Sequence, residues 1–283
     1  MQRLYPLFFV FLWSTGFIGA KFGLPFAEPL SFLLTRYALV IALMAAIALA
    51  TRAPWPAQPA QWLHIAVSGV LVHAVYLGGV FVAIKHGLPA GITALVVGMQ
   101  PLLTAFGAGW LLGERVTARQ WTGLALGFIG VGLVVAGKFG DAPLGPMLIP
   151  ALVALLGITA GTLYQKRFCA QFDLRTGSVI QFVPTALVTA VAVALFEDYR
   201  IEWTGEFLFA LGWLVLVLSL GAISLLNLLI RSGSAVNVAS LFYLTPPTTA
   251  LIAWAIFGEM LTSTAAAGMV LAVSGVYLVA RTK

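Results

Sequence analysis

Charge is what this sequence has least of. Only 8% of its 283 residues are Asp, Glu, Lys or Arg, and 9 of them are acidic. A soluble fold of this composition would leave far too much apolar surface in water. Cysteine occurs once, at Cys169, which excludes an internal disulfide. His64, His73 and His86 stand apart from one another and from any acidic cluster, so neither a metal site nor a histidine-centred catalytic group is implied. Paired carboxylates, a G-x-S-x-G elbow and a G-x-x-x-x-G-K-[ST] phosphate loop are all missing. These absences argue against an enzyme, against an ATP-driven machine and against any cofactor. The net charge of +6 comes from cations scattered singly, without the clustered basic face that nucleic acid requires.

What is present is hydrocarbon. Hydrophobic residues make up 61% of the chain and the mean hydropathy is +1.04. A helix needs about 20 apolar residues to cross a bilayer. Ten such stretches are predicted, near residues 4–23, 29–50, 62–84, 90–112, 118–136, 146–163, 177–196, 207–229, 235–257 and 263–279. Connections between them are short, which leaves no soluble domain to carry separate chemistry. The first run lacks the short apolar core and cleavage site of a signal peptide and reads as an uncleaved helix. With both termini cytoplasmic, one side holds Arg3, Arg52, Arg115, Arg119, Lys166, Arg167, Arg175, Arg231, Arg281 and Lys283. The other keeps Lys21, Lys85, Lys138 and Arg200, and that bias sets the expected orientation.

The chain matches itself at a shift of 145 residues without a gap. Pro101 falls on Pro246, Gly113-Glu114 on Gly258-Glu259, Thr104-Ala105 on Thr249-Ala250, Gly123 on Gly268 and Gly130-Val131 on Gly275-Val276. Leu7, Gly16 and Lys21 fall on Leu152, Gly161 and Lys166, so the duplication covers the whole chain. Each copy carries an odd number of crossings and inserts with opposite orientation, as in alternating-access carriers. The predicted organisation is a first five-helix repeat over residues 1–143 and a second, inverted, over 146–283.

Within each repeat the fourth helix is interrupted, by Pro101 in one copy and by Pro246 and Pro247 in the other. A proline removes a backbone hydrogen bond that lipid cannot replace, and broken helices tend to surround a substrate path. Gly113 is placed to end a helix, and Thr117 with Gln120 has capping-box spacing. In the second copy Thr262 remains, but Ala265 replaces the glutamine. Glu114 and Glu259 are expected at opposite faces in structural roles near helix starts. Gly123, Gly127 and Gly130 in helix five, and Gly268, Ala272 and Gly275 in helix ten, allow close helix approach. Such faces pack either within the protein or between protomers, and a homo-oligomer is compatible with them.

The two segments PLLTAFGAGWLLGERVTARQWTGLALGFIGVG and PPTTALIAWAIFGEMLTSTAAAGMVLAVSGV share a proline ahead of Gly-Glu, a threonine and a helix with Gly-x6-Gly-Val. This pattern, twice in a ten-helix chain, resembles the EamA family of the drug/metabolite transporter superfamily. The resemblance implies an all-α integral membrane fold in which helices one, three, four, six, eight and nine surround a central cavity, with five and ten supporting. It also implies export of amino acids and related metabolites across a bacterial-type inner membrane.

An ionisable residue inside a membrane is a functional candidate because lipid disfavours its charge. No Asp or Glu falls mid-segment, which leaves His73 as the mid-membrane group that titrates near neutrality, with Tyr76 three residues on and on the same α-helical face. Further substrate-binding candidates are Trp13, Ser14, Gln100, Thr159, Thr162, Asn227 and Tyr243. Together they suggest a neutral, aromatic-rich lining suited to a zwitterion or an amphipathic organic molecule. Arg36 is expected to snorkel or hold a helix end, with attraction of a carboxylate as the alternative, and Lys21 and Lys166 to anchor at the interfaces. The favoured function is a secondary carrier exporting small neutral or zwitterionic metabolites, amino acids first, aromatic ones included. Other organic metabolites or drugs are the alternative cargo, and nucleotide-sugar or sugar-phosphate exchange is disfavoured because a phosphate wants a denser cationic cluster. A channel or a membrane scaffold is the competing class. The expected partners are the substrate and membrane lipids.

Overall fold

A computed structural model describes residues 4–88, 90–136, 146, 148–169, 171–257 and 261–281. Gly258, Glu259, Lys138, Arg3 and Lys283, named above, lie outside them. The chain is almost wholly helical. We number its membrane helices α1 (Tyr5–Gly23), α2 (Pro29–Ala50), α3 (Pro59–Lys85), α4 (90–112), α5 (Ala118–Val135), α6 (Leu148–Phe168), α7 (Leu174–Phe196), α8 (Gly205–Ser232), α9 (235–257) and α10 (Ser263–Ala280). Among the described residues nine of these helices are long and apolar enough to cross a membrane, and α1 is a further apolar helix of 19 residues. Side chains such as Trp110 (90% exposed), Phe196 and Leu195 face outward from the bundle, as lipid contact requires.

The 145-residue register holds in the geometry. The second part of α4, Gln100–Leu112, falls on Thr245–Phe257, and α5 falls on Ser263–Ala280. Helix α4 stops at Val97 and restarts at Gln100, with Pro101 in its first turn. Helix α9 relaxes into a 3-10 stretch, Leu241–Leu244, before Thr245, Pro246 and Pro247 open its second part. In both copies the proline tolerates only the first turn of a helix, so the break precedes it. A second irregularity also recurs. Helices α3 and α8 each contain a π-helical stretch, Val70–Leu77 and Leu214–Ala222, which is invisible to hydrophobic patterning.

The small-residue faces of α5 and α10 pack on each other within the chain. A Cβ placed on Gly130 would fall 2.6 Å from the Gly268 carbonyl oxygen, and one on Gly123 would fall 2.6 Å from that of Gly275. No side chain larger than hydrogen fits at these points, and the contact is reciprocal under the repeat. Helices α2 and α7 pack together on another side of the bundle.

The ends are fastened by caps and snorkelled cations. Gly113 ends α4 in the left-handed conformation, φ 67°. Thr117 and Gln120 form the complete capping box at α5, and Thr262 alone caps α10. The Glu114 carboxylate accepts from the Ala235 backbone N–H at 2.9 Å, so it neutralises the start of α9. Lys166 Nζ donates to the carbonyls of Ile230 (2.8 Å) and Gly233 (2.5 Å), which closes the end of α8. Lys85 Nζ reaches the carbonyl of Ala27 at 3.4 Å, and Arg231 Nη2 reaches that of Phe172 at 2.5 Å. Ala27 and Phe172 are equivalent under the repeat.

Candidate functional site

One cavity, of about 130 Å³, lies between α1, α3, α4, α5 and α9, in the half of the bundle toward the Lys85 and Val135 helix ends. Its walls include Trp13, Tyr76, Val97, Phe242, Thr245 and Thr249. The aromatic wall is ordered by ring packing. Trp13 stacks parallel to Tyr76 with centroids 6.4 Å apart and meets Phe242 edge-on at 5.2 Å, and Phe9 braces both. Such pairs contribute about 0.5–1.5 kcal/mol beyond burial and fix ring orientation.

The polar wall comes from the break in α9. Ser14 Oγ donates to the Val10 carbonyl at 2.6 Å and lies 3.3 Å from the Thr245 carbonyl. Thr249 Oγ1 donates back to the Ser14 carbonyl at 3.3 Å. The interruption of α9 thereby ties it to α1 beside the cavity. Thr245 Oγ1 is buried with no hydrogen-bond partner among the described residues.

Of the nine substrate candidates, this cavity takes in Trp13 and Tyr76, together with the helix-break residue Pro246. Ser14 lies behind its wall. His73 points elsewhere. Its ring stacks on Phe182 of α7 at 4.3 Å and sits 6.5 Å from the Tyr37 ring of α2. It is 1% exposed, and neither ring nitrogen has a hydrogen-bond partner among the described residues. The shared face expected of His73 and Tyr76 assumed α-helical winding; the wider i→i+5 turn of the π stretch between Val70 and Leu77 turns the two apart.

Gln100, Thr159, Thr162 and Asn227 form a buried seam between α4, α6 and α8. Gln165 Nε2 donates to Asn227 Oδ1 at 2.8 Å, and Gln100 Nε2 lies 3.5 Å from Thr162 Oγ1. Thr159 and Thr162 donate to carbonyls of their own helix. Tyr243 is fully buried beside Gly127, its hydroxyl without a partner among the described residues. Pro101 is buried, and Pro247 follows Pro246 in the same turn.

Three further expectations change. Helix α5, read as a support, contributes Val134 and Val135 to the cavity wall, whereas no described residue of α6 or α8 lines it. Arg36 does not snorkel. It is 3% exposed, and its Nε donates to Ser219 Oγ of α8 at 3.1 Å. Ser219 in turn donates to the Leu214 carbonyl five residues back, within the π stretch. Lys166, expected to anchor at an interface, does more than that: its Nζ caps the end of α8 as described above. The side chain of its counterpart Lys21 lies outside the described residues.

Sequence reasoning missed Thr245, Thr249 and Phe242 as wall residues. The signal for Thr249 was its register with Thr104, which marked the repeat and was not followed into the site.

A helical bundle of two oppositely inserted repeats, with broken helices beside an apolar cavity, defines a multi-pass membrane transporter and not an enzyme. The chain belongs to the EamA-like transporter family, whose profile matches residues 4–136 and again residues 145–281. It is similar to "Uncharacterized transporter YvbV" of Bacillus subtilis (strain 168), 28% identical over 276 residues, 96% of this chain and 89% of the relative. "Uncharacterized inner membrane transporter YedA" of Escherichia coli (strain K12) is 27% identical over 92% of this chain and 86% of its own length. "Probable amino-acid metabolite efflux pump" of Salmonella typhimurium (strain LT2) is 26% identical over 96% and 92%. A solved crystal structure superposes with a TM-score of 0.79 over 98% of this chain and 95% of that one, at 21% identity, a likeness of fold.

Proposed function

We propose that this protein is a secondary carrier that exports small neutral or zwitterionic metabolites, amino acids including aromatic ones before others, by alternating access. The observation that carries the reading is the cavity wall: aromatic rings, aliphatic side chains and threonines, with no charged side chain among its described residues. Rings stack on an apolar or aromatic side chain, while hydroxyls and the carbonyls freed at the α9 break orient an ammonium or carboxylate without fixing net charge. A phosphate ester fits worst, because the buried cation Arg36 is not part of this wall. The relative named an amino-acid metabolite efflux pump supports the same cargo class.

The cell (inner) membrane is the proposed location, in line with the name of the YedA relative. Both termini are cytoplasmic in this reading. Arg52, Arg115, Arg119, Lys166, Arg167 and Arg231 then share the cytoplasmic face, against Lys85 and Arg200 on the other. The cavity lies in the outer half.

Counterflow in proteoliposomes tests the carrier. Vesicles loaded with unlabelled amino acids should take up labelled neutral and aromatic ones saturably and faster than empty vesicles. Uptake that is linear with concentration and indifferent to loading would mean a channel, and no flux with any uncharged metabolite would end the neutral-cargo assignment.

A further inference from the structure

Arg36 is the buried charge that the carrier reading leaves unused. It stands two turns into α2 and is 3% exposed. Burying a guanidinium inside a membrane span is costly unless a counter-charge meets it. No carboxylate does so among the described residues. Their Asp and Glu side chains all belong to helix ends or connections, and the ion pairs they form with arginines join Asp173 to Arg175 and Asp198 to Arg200. Glu197 reaches α2 but is occupied at its first turn, where it accepts from the Leu30 and Ser31 N–H groups, each at 2.8 Å, and from Ser31 Oγ at 2.7 Å.

Two contacts fix the charge behind the cavity. Arg36 Nε donates to Ser219 Oγ of α8 at 3.1 Å. The residue before Ser219, Leu218, packs on α1 one turn from Trp13, where a Cβ placed on Gly16 would lie 3.1 Å from Leu218 Cδ1. On the other side Tyr37, the neighbour of Arg36, donates to the His73 carbonyl at 2.8 Å, one turn before Tyr76. Ser219 and His73 both belong to π-helical stretches, a winding frequent at functional sites. The cation is thus held behind the Trp13 and Tyr76 side of the wall without entering it. Apolar surroundings screen a charge poorly, so its field reaches the cavity.

We infer that Arg36 sets the charge selectivity of the cavity: its uncompensated field favours cargo that turns a carboxylate toward the Trp13 and Tyr76 wall and rejects cargo that carries an ammonium group alone. The inference rests on the carrier reading and deepens it, because it separates amino acids from amines of the same shape. Arg36 acts through the wall and touches no cargo. The neutral wall supplies shape and hydrogen bonds, and the charge behind it supplies the sign.

The test compares two halves of one aromatic amino acid: 3-phenylpropionate, which has the carboxylate only, and phenethylamine, which has the ammonium only. Each is titrated against the purified protein in detergent, and the concentration that gives half of the maximal rise in Tm is read. The native protein should prefer the carboxylate by on the order of tenfold, the effect of a unit charge about 10 Å away at an effective dielectric of about 20. Arg36→Gln should shrink that preference at least about fivefold, in part by tighter binding of the amine, a gain that loss of a merely structural contact does not give. Arg36→Lys should keep the preference. Ser219→Asp, which sets a carboxylate beside the guanidinium, should reproduce Arg36→Gln and replaces it if that variant fails to fold. Equal binding of the two compounds by the native protein would overturn the inference, and so would an unchanged preference in either neutralised variant. Failure of both compounds to shift Tm, in protein that carries phenylalanine in counterflow, would overturn it as well. A carboxylate preference that depends on Arg36, in protein that carries no amino acid, would support the selectivity and overturn the carrier reading instead.

Discussion

Gly130 of α5 and Gly268 of α10 meet backbone to backbone: a Cβ on Gly130 would lie 2.6 Å from the Gly268 carbonyl oxygen, and one on Gly268 would lie 2.5 Å from that of Gly130. Because these obstacles are main-chain atoms of packed helices, a larger residue has to push the helices apart. Gly130→Leu and Gly268→Leu should each destabilise by about 1–3 kcal/mol or more, read as a lowered Tm in detergent. Gly132→Ala, whose Cβ would meet nothing nearer than Leu95 Cδ1 at 3.9 Å, should leave Tm unchanged. Equal loss in all three variants would show that the crossing has no special role.

The aromatic wall predicts a graded transport defect. Tyr76→Ala and Trp13→Ala should lower trans-stimulated uptake by about two- to tenfold, the effect of losing ~0.5–1.5 kcal/mol of ring contact. His73→Phe keeps the stacking on Phe182 and fills the same buried site, so it should retain both transport and its pH profile. A flattened pH profile in that variant would return the histidine to the mechanism.

Much of this arrangement was legible in the sequence. The repeat register placed Pro101 and Pro246 correctly, because a proline acts on its own chain and its effect needs no tertiary partner. Thr117 with Gln120, Gly113 and Thr262 were readable for the same reason. The wall was less so. Helix α3 has Gly69 before its π stretch and Gly78-Gly79 after it, but glycines alone do not specify π winding, and the rotation of His73 away from Tyr76 follows from hydrogen-bond slippage that hydrophobic spacing does not encode. Arg36 was misread because only the folded bundle brings Ser219 of α8 to it. The glycine faces were legible as contact surfaces, but their partner became visible only when α5 and α10 were seen crossing.

Glu114 holds the first turn of α9 from a different helix hairpin. Removing a side-chain cap costs about 0.5–2 kcal/mol, so Glu114→Ala should destabilise by that amount, read as a lowered Tm, while Glu114→Gln, which keeps an acceptor oxygen, should recover most of it. An unchanged Tm in Glu114→Ala would rule out the cap.

Asp173 caps α7. The Arg175 side chain, by hydrogen bonding and ion pairing at 2.6 Å, holds the Asp173 carboxyl below the usual carboxylate range. A carboxylate with a depressed folded value stabilises above its unfolded value, near 3.9, and loses that contribution as pH falls through the folded one. Thermal unfolding from pH 6 down to 3 should therefore be less steep in Asp173→Asn than in the native chain. Parallel curves would remove Asp173 from the acid response.

Burial pushes the Cys169 thiol up to about 11. At pH 7 roughly one molecule in ten thousand then carries the reactive thiolate. Maleimide labelling of the native protein should be negligible at neutral pH and rise with pH toward 10. Rapid labelling at pH 7 would mean that the packing around Cys169, against Ile65, Phe172 and Ile180, opens.

The α5–α10 crossing also sets a schedule for biosynthesis. The two faces belong to helices 145 residues apart, as Gly130 and Gly275 are. At about 5–20 residues per second of chain growth, α5 waits on the order of ten seconds in the membrane before its partner is made. During that interval a backbone-thin surface, shaped to fit only a copy of itself, faces lipid or neighbouring proteins. The first half of this transporter is therefore the form in which a nascent chain is most open to a wrong partner, including the same half of another molecule.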